Sequence, residues 1–185
     1  MHVKLRHIAP ALVFIGGLIE RVMRNITVAD NNLERCFKAA TRYLGYRPRS
    51  EPELRERLRR RGFTTDTIEA VIAKLKRLKL VDDTAFAEFW KDNRESFSPR
   101  SKSLTRLELR QKGIADDIIE QTVATIDDED SAYRAAMSKA RNLSRSDYES
   151  FRHRLGGYLQ RRGFNYGVID HTIKRVWQEE TASPR

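Results

Sequence analysis

Three glycines constrain this chain more than any other feature. Gly62 lies in Arg59-Arg60-Arg61-Gly62-Phe63, Gly113 in Arg110-Gln111-Lys112-Gly113-Ile114, and Gly163 in Gln160-Arg161-Arg162-Gly163-Phe164. They are 51 and 50 residues apart. Each has a leucine four residues before it (Leu58, Leu109, Leu159) and a large apolar residue directly after it. Further apolar columns follow at matched spacing: Ile68, Ile119 and Ile169, then Ile72, Val123 and Ile173, then Leu75, Ile126 and Val176. Agreement in so many columns means three copies of one structural unit.

The phrase has a local physical meaning. A helix that stops needs a residue in the left-handed conformation just past its last turn, and glycine adopts it without steric cost. The Arg and Lys residues before the glycine then sit beside the negative end of the helix dipole. The apolar columns downstream form one stripe of a second helix. Each copy is thus a helix, a tight turn and another helix.

The units are bounded by capping signals. A first helix begins at Asn31 or Asn32, carries Leu33, Phe37, Ala40, Tyr43 and Leu44 at helical spacing, and is expected to end at Gly45. Cys36, the only cysteine, lies beside that stripe and reads as a small core residue rather than a reactive thiol. Ser50 and Glu53 have capping-box spacing ahead of Leu54 and Leu58. After Gly62, a helix over about Thr67 to Lys79 buries Ile68, Val71, Ile72, Leu75 and Leu78. An aspartate of Asp82-Asp83 caps a third helix expected to bury Ala85, Phe86, Phe89 and Trp90. Pro99-Arg100-Ser101 then echoes Pro48-Arg49-Ser50, and Leu104, Leu107 and Leu109 supply the next apolar seam. Asp127-Asp128-Glu129-Asp130 lacks the spacing and glycine of a calcium loop and reads as helix capping. Ser146 and Glu149 repeat the capping-box spacing before Phe151, Leu155 and Leu159. The expected segments are 31–94, 95–142 and 143–178, preceded by an extension over 1–30 and followed by a polar tail over 179–185. The repeat leaves its own phase open.

Residues 1–30 stand apart. A basic start (Lys4, Arg6) and an apolar run from Ile8 to Ile19 resemble a signal peptide, but no small-residue cleavage site follows. The run is too short to span a bilayer, which takes about 20 apolar residues. Pro10 and Gly16-Gly17 oppose a single strong helix. The expectation is a poorly ordered or peripheral extension, such as an early start codon would add.

Several short motifs, in order, resemble one family. Leu44-x-x-Arg47-x-Arg49-Ser50-Glu51-x-Glu53-Leu54 is similar to the opening of the RecX family, regulators of the bacterial RecA recombinase. Leu80-x-Asp82-Asp83-x-x-Phe86-Ala87 with Arg94 resembles its middle motif. Glu108-Leu109-Arg110-x-Lys112-Gly113-Ile114 and Tyr158-Leu159-x-x-Arg162-Gly163-Phe164 resemble the two that follow. The family usually has glycine where Ser98 stands, and residues 1–30 match none of its motifs. The resemblance implies an all-α fold, an elongated array of three tandem three-helix repeats. It implies no catalysis and no cofactor. It implies a cytoplasmic monomer that binds the RecA filament on single-stranded DNA, limits the filament's growth, and lowers its ATP hydrolysis and strand exchange.

The residues themselves support a binding role. The net charge is +10 and the isoelectric point about 10.0, which favours acidic or polyanionic partners. Arg60, Arg61, Lys112, Arg161 and Arg162 recur at matched positions and form a candidate ladder, unless they only complement helix C-termini. Arg47, Arg49 and Arg100 flank helix starts, where a cation opposes the dipole, so a partner contact is the expected reason for them. Weak, salt-sensitive binding of single-stranded DNA follows from charge alone. Phe97 and Tyr166 are candidates to stack on bases, whereas Trp90 continues the Phe86 stripe and reads as core. No phosphate-binding glycine loop, nucleophile motif or His/Cys metal cluster is present, and His2, His7, His153 and His171 are scattered, so neither an enzyme nor a metal site is expected. Two other classes remain open: a direct nucleic-acid binder of helix-turn-helix type, and a structural helical-array adaptor.

Overall fold

The computed structural model describes residues 31–143 and 147–182. The expectation for residues 1–30 lies outside them. The described residues form nine helices: α1 (Asn31–Tyr46), α2 (Glu51–Arg60), α3 (Thr65–Arg77), α4 (Asp83–Phe97), α5 (Lys102–Gln111), α6 (Asp116–Ala124), α7 (Asp128–Ala140), α8 (Tyr148–Gln160) and α9 (Tyr166–Ala182). The all-α expectation holds. The chain divides into two compact units, with the division between Phe86 and Ala87 inside α4.

The glycine phrases end α2, α5 and α8. Gly62, Gly113 and Gly163 take φ values of 85°, 75° and 85°. In the first copy the Gly62 N–H donates to the Arg59 carbonyl at 2.9 Å and the Phe63 N–H to the Leu58 carbonyl at 3.4 Å. Gly113 and Ile114 repeat the pattern on Arg110 and Leu109, and Gly163 and Phe164 on Gln160 and Leu159. This is the Schellman motif, in which two carbonyls left open by the ending helix are satisfied and the apolar residue after the glycine packs toward the leucine before it. That is why both columns are apolar in every copy.

Caps start the helices. Ser50 Oγ accepts the Glu53 N–H and Ser101 Oγ the Leu104 N–H, and both serines are buried. Asp127 caps α7 through the N–H groups of Glu129 and Asp130, as its acidic run leads one to expect. Asp82 accepts the Ala85 N–H at 3.0 Å. Ser146 lies outside the described residues, and the cap of α8 is its neighbour Asp147, which accepts from Glu149 and Ser150.

In the first unit, α1, α2 and α3 enclose Phe37, Leu54, Leu58, Val71, Ile72 and Leu75, each 0–1% exposed. A leucine so buried contributes about 1.5–3 kcal/mol relative to an exposed one. In the second unit, α7, α8 and α9 enclose Phe151, Leu155, Leu159, Ile173 and Val176. Leu109, Ile114, Ile119 and Val123, from α5 to α6, are equally buried.

Some local expectations fail for identifiable reasons. Gly45 does not end α1, which runs to Tyr46. Leu107 is 47% exposed, because the inward positions of α5 are taken by Thr105, Glu108 and Leu109. Ala85 is exposed, while Ala87 is buried beside Phe86. A fourth turn of the same type ends α3 with no glycine in it: Lys79 takes φ 54°, its N–H donates to the Lys76 carbonyl, and the Leu80 N–H to the Leu75 carbonyl.

Candidate partner-binding surface

The cation directly before each glycine lies over an aromatic ring. The Arg61 guanidinium is 5.8 Å from the centre of Tyr43, the Lys112 ammonium 5.0 Å from that of Trp90, and the Arg162 guanidinium 4.5 Å from that of Tyr158. Such contacts contribute about 0.5–1 kcal/mol at exposed sites. Tyr158 precedes Arg162 by four residues, so one helix face brings that pair together. Tyr43 and Trp90 come instead from α1 and α4, and only tertiary packing joins them to their cations. Arg57 also lies 4.9 Å over Tyr43.

The eight candidate residues fall into two groups. Arg60, Arg61 and Arg161 are exposed. Arg60 meets Glu56 at 2.8 Å one turn back, a surface pair worth little. Arg161 has no side-chain partner among the described residues. The other five are half-buried and engaged within the fold. Arg47 grips both oxygens of Glu53, at 3.0 and 3.2 Å, and donates to the Pro48 carbonyl. Arg49 donates to the Tyr43 carbonyl at 3.2 Å. Arg162 donates to Ser98 Oγ at 2.8 Å and to the Pro99 carbonyl at 3.0 Å. Arg100 pairs with Glu108, and Lys112 sits on Trp90. The flanking arginines Arg47, Arg49 and Arg100 therefore have an internal reason to stand at helix starts.

In the sequence Glu108 stands out only as part of a motif, and the structure makes it a hub. It is 8% exposed and accepts from Trp90 Nε1 at 2.8 Å, from Arg94 Nε at 2.8 Å, and from Arg100. Arg94 also covers the Trp90 ring at 4.6 Å. The ring and the N–H of Trp90 are thus both engaged within the fold. Burial lowers the pKa of Arg94 from its ordinary value. Burial also lowers that of Arg100, helped by repulsion from Arg94 and Arg162. For Arg49 burial acts first, then repulsion from Arg47 and Arg57, against Glu53 and Tyr43. These three guanidinium groups are thus partly withdrawn from water. Phe97 and Tyr166 are 68% and 73% exposed.

Two carboxylates pin neighbouring helix starts together. Asp83, at the start of α4, accepts the Glu51 N–H at 2.7 Å, and Asp128, at the start of α7, accepts the Lys102 N–H at 2.6 Å. Ion pairs repeat as well. Arg55 holds Glu69 through two bonds between α2 and α3, and Arg106 holds Glu120 likewise between α5 and α6. The third copy has Gly156 and Asp170 at these places. There a cleft of about 410 Å³ opens, lined among others by Gly156, Phe164, Tyr166 and Ile173. Among the described residues no group of His, Cys, Asp and Glu is arranged to hold a metal ion, and no helix is long and apolar enough to cross a membrane.

Comparison with known proteins covers most of this architecture. Residues 36–75, 82–123 and 127–173 match the family models described as the first, second and third three-helix domains of RecX. Each match opens within or close before the helix that precedes a capped serine or aspartate start. The chain is 36% identical over 149 residues to the regulatory protein RecX of Prosthecochloris aestuarii, covering 80% of this chain and 98% of that one. It is 34% identical to that of Amycolatopsis mediterranei, covering 79% and 83%. The crystal structure of RecX from Lactobacillus salivarius is similar with a TM-score of 0.65 at 27% identity, covering 78% of this chain and 96% of that one.

Proposed function

The chain belongs to the RecX family of regulatory proteins, and from that premise we propose that it is a negative modulator of the RecA recombinase. In this reading it binds the RecA filament on single-stranded DNA, limits the filament's extension, and lowers ATP hydrolysis and strand exchange. It acts as a cytoplasmic monomer, without catalysis of its own, in homologous recombination, DNA repair and the SOS response. The observation that carries the proposal is the match of all three domains in order along one chain. A net charge of +10 supports it, because a filament built on DNA presents phosphates. Arg60, Arg61 and Arg161 are the exposed members of the candidate set and are assigned the direct contacts. Arg47 and Arg49 in the first unit, and Arg100, Lys112 and Arg162 in the second, add positive charge to their own units.

The test is DNA-dependent ATP hydrolysis by the cognate recombinase at fixed salt, with this protein titrated in and excess single-stranded DNA as control. Inhibition well below one molecule per recombinase, surviving the excess, supports action on the filament. Inhibition that vanishes with added DNA means competition for DNA, and the direct nucleic-acid binder then replaces the regulator. Replacing Arg60, Arg61 and Arg161 together with alanine is expected to weaken inhibition while helix content, read by circular dichroism, holds.

A further inference from the structure

A small basic cleft lies in the second unit, where the end of α4 meets the turn after α8. Ser98, Arg100, Tyr158, Arg161 and Arg162 line about 210 Å³. No carboxylate is among these five residues. Arg100 leans on Glu108 behind it, and that one carboxylate is shared with Arg94. Among the described residues the Arg161 side chain has no partner, and Arg162 Nε is buried without an acceptor. Ser98 Oγ accepts from Arg162 Nη1, so its own proton remains to be given. Arg162 also donates to the Pro99 carbonyl. The cleft thus offers donors and positive charge, and its cations repel one another until an anion enters.

One residue before Ser98 stands Phe97, 68% exposed at the end of α4. A large exposed aromatic one residue along the chain from a donor-lined basic cleft supplies the two parts that hold an unpaired nucleotide: a ring for a base face and cations for the phosphate. A duplex hides its base faces and cannot use the ring. We infer that Phe97, Ser98, Arg100, Arg161 and Arg162 form a subsite for single-stranded nucleic acid, with a phosphodiester in the cleft and a base on Phe97. The inference deepens the nucleic-acid part of the function proposed above and rests on the second unit's own charge and geometry.

The experiment uses the purified full chain and a fluorescent oligothymidylate of about 20 nucleotides, followed by anisotropy across a salt series without recombinase, a length sufficient to cover one or more such binding sites. Arg161→Ala is expected to weaken binding and to reduce the slope of log affinity against log salt by about 0.7, one phosphate contact on a single strand. Phe97→Ala is expected to weaken binding about 10-fold while leaving that slope unchanged, and to have no effect on an abasic strand of the same length. Both residues are exposed, so neither variant threatens folding. Parental affinity and slope in both variants would overturn the subsite. So would a duplex that loses as much on Phe97→Ala, or a polyglutamate peptide that displaces the oligonucleotide as well as unlabelled strand does, which would make the cleft a site for acidic protein segments. Since no recombinase is present, this outcome and that of the ATP hydrolysis test are independent.

Discussion

The carbonyl of Arg162 accepts the backbone N–H of Ser101 at 3.0 Å, which seats the third glycine turn on the N-cap of α5. The seat is tight. A Cβ on Gly163 would lie 2.6 Å from Ser101 Oγ and 2.7 Å from Leu104 Cβ, whereas a Cβ on Gly62 would meet nothing within 4 Å. Both glycines share φ 85°. Gly62→Ala therefore carries only the left-handed cost, about 1–2 kcal/mol. Gly163→Ala adds overpacking of about 1–3 kcal/mol against atoms that cannot swing away. Urea unfolding of the two variants should separate them by that difference. Equal losses would mean the third turn is free to shift from α5.

Two residues after each glycine, directly before the first residue of α3, α6 and α9, stand Thr64, Ala115 and Asn165. Thr64 Oγ1 accepts the Thr67 N–H and Asn165 Oδ1 the Val168 N–H, while Ala115 provides no side-chain cap. Its φ and ψ of −66° and 144° already suit a capping residue. Ala115→Ser should stabilise the protein by about 1 kcal/mol. A midpoint in urea that does not move, with an unchanged slope, would show that water already serves those N–H groups equally well.

How much of this was readable in advance follows from the range of each interaction. The glycine turns were legible because Leu58, Gly62 and Phe63 lie within six residues and each is dictated by its own backbone position. Ser50 and Ser101 were legible as caps for the same reason. Lys79 was not: it takes a left-handed turn without the residue that normally announces one. Glu108 reads as one more surface charge on α5, and only packing against α4 makes it the acceptor of Trp90, Arg94 and Arg100. Arg47, Arg49 and Arg100 point to a partner contact in the sequence because Glu53, the Tyr43 carbonyl and Glu108 reach them only through space. The candidate surface was therefore visible as charge, but the division into exposed and engaged arginines was not.

Glu108 supplies a third prediction. Removing its charge leaves Arg94 and Arg100 facing each other half-buried, and breaking such a pair from one side costs about 3–5 kcal/mol. Glu108→Gln keeps the shape and an acceptor for Trp90 Nε1 but not the counter-charge. It should lower stability by an amount within or just below that range, and it should change the fluorescence of Trp90, which touches the carboxylate at 2.8 Å. Loss of under about 1 kcal/mol would mean that solvent reaches the guanidinium groups and screens them.

Cys36 gives the last. Its side chain is wholly buried in the core of the first unit, and burial pushes the thiol up from 9.0 to about 11. Only the thiolate attacks an alkylating reagent. At pH 8 the shift alone lowers the thiolate fraction about 100-fold, and burial lowers access further. The sign of the linkage follows. A pKa raised by folding contributes stability that is fully present below about 9 and is lost as pH rises through about 11. Iodoacetamide should therefore label native protein at pH 8 only as fast as the first unit opens, with full labelling in urea. Stability should stay level with respect to this group up to about pH 9 and decline above it. Rapid labelling of folded protein at pH 8 would show that α1 leaves its seat on α2 and α3 far more often than a core built on Phe37, Leu54 and Leu58 allows.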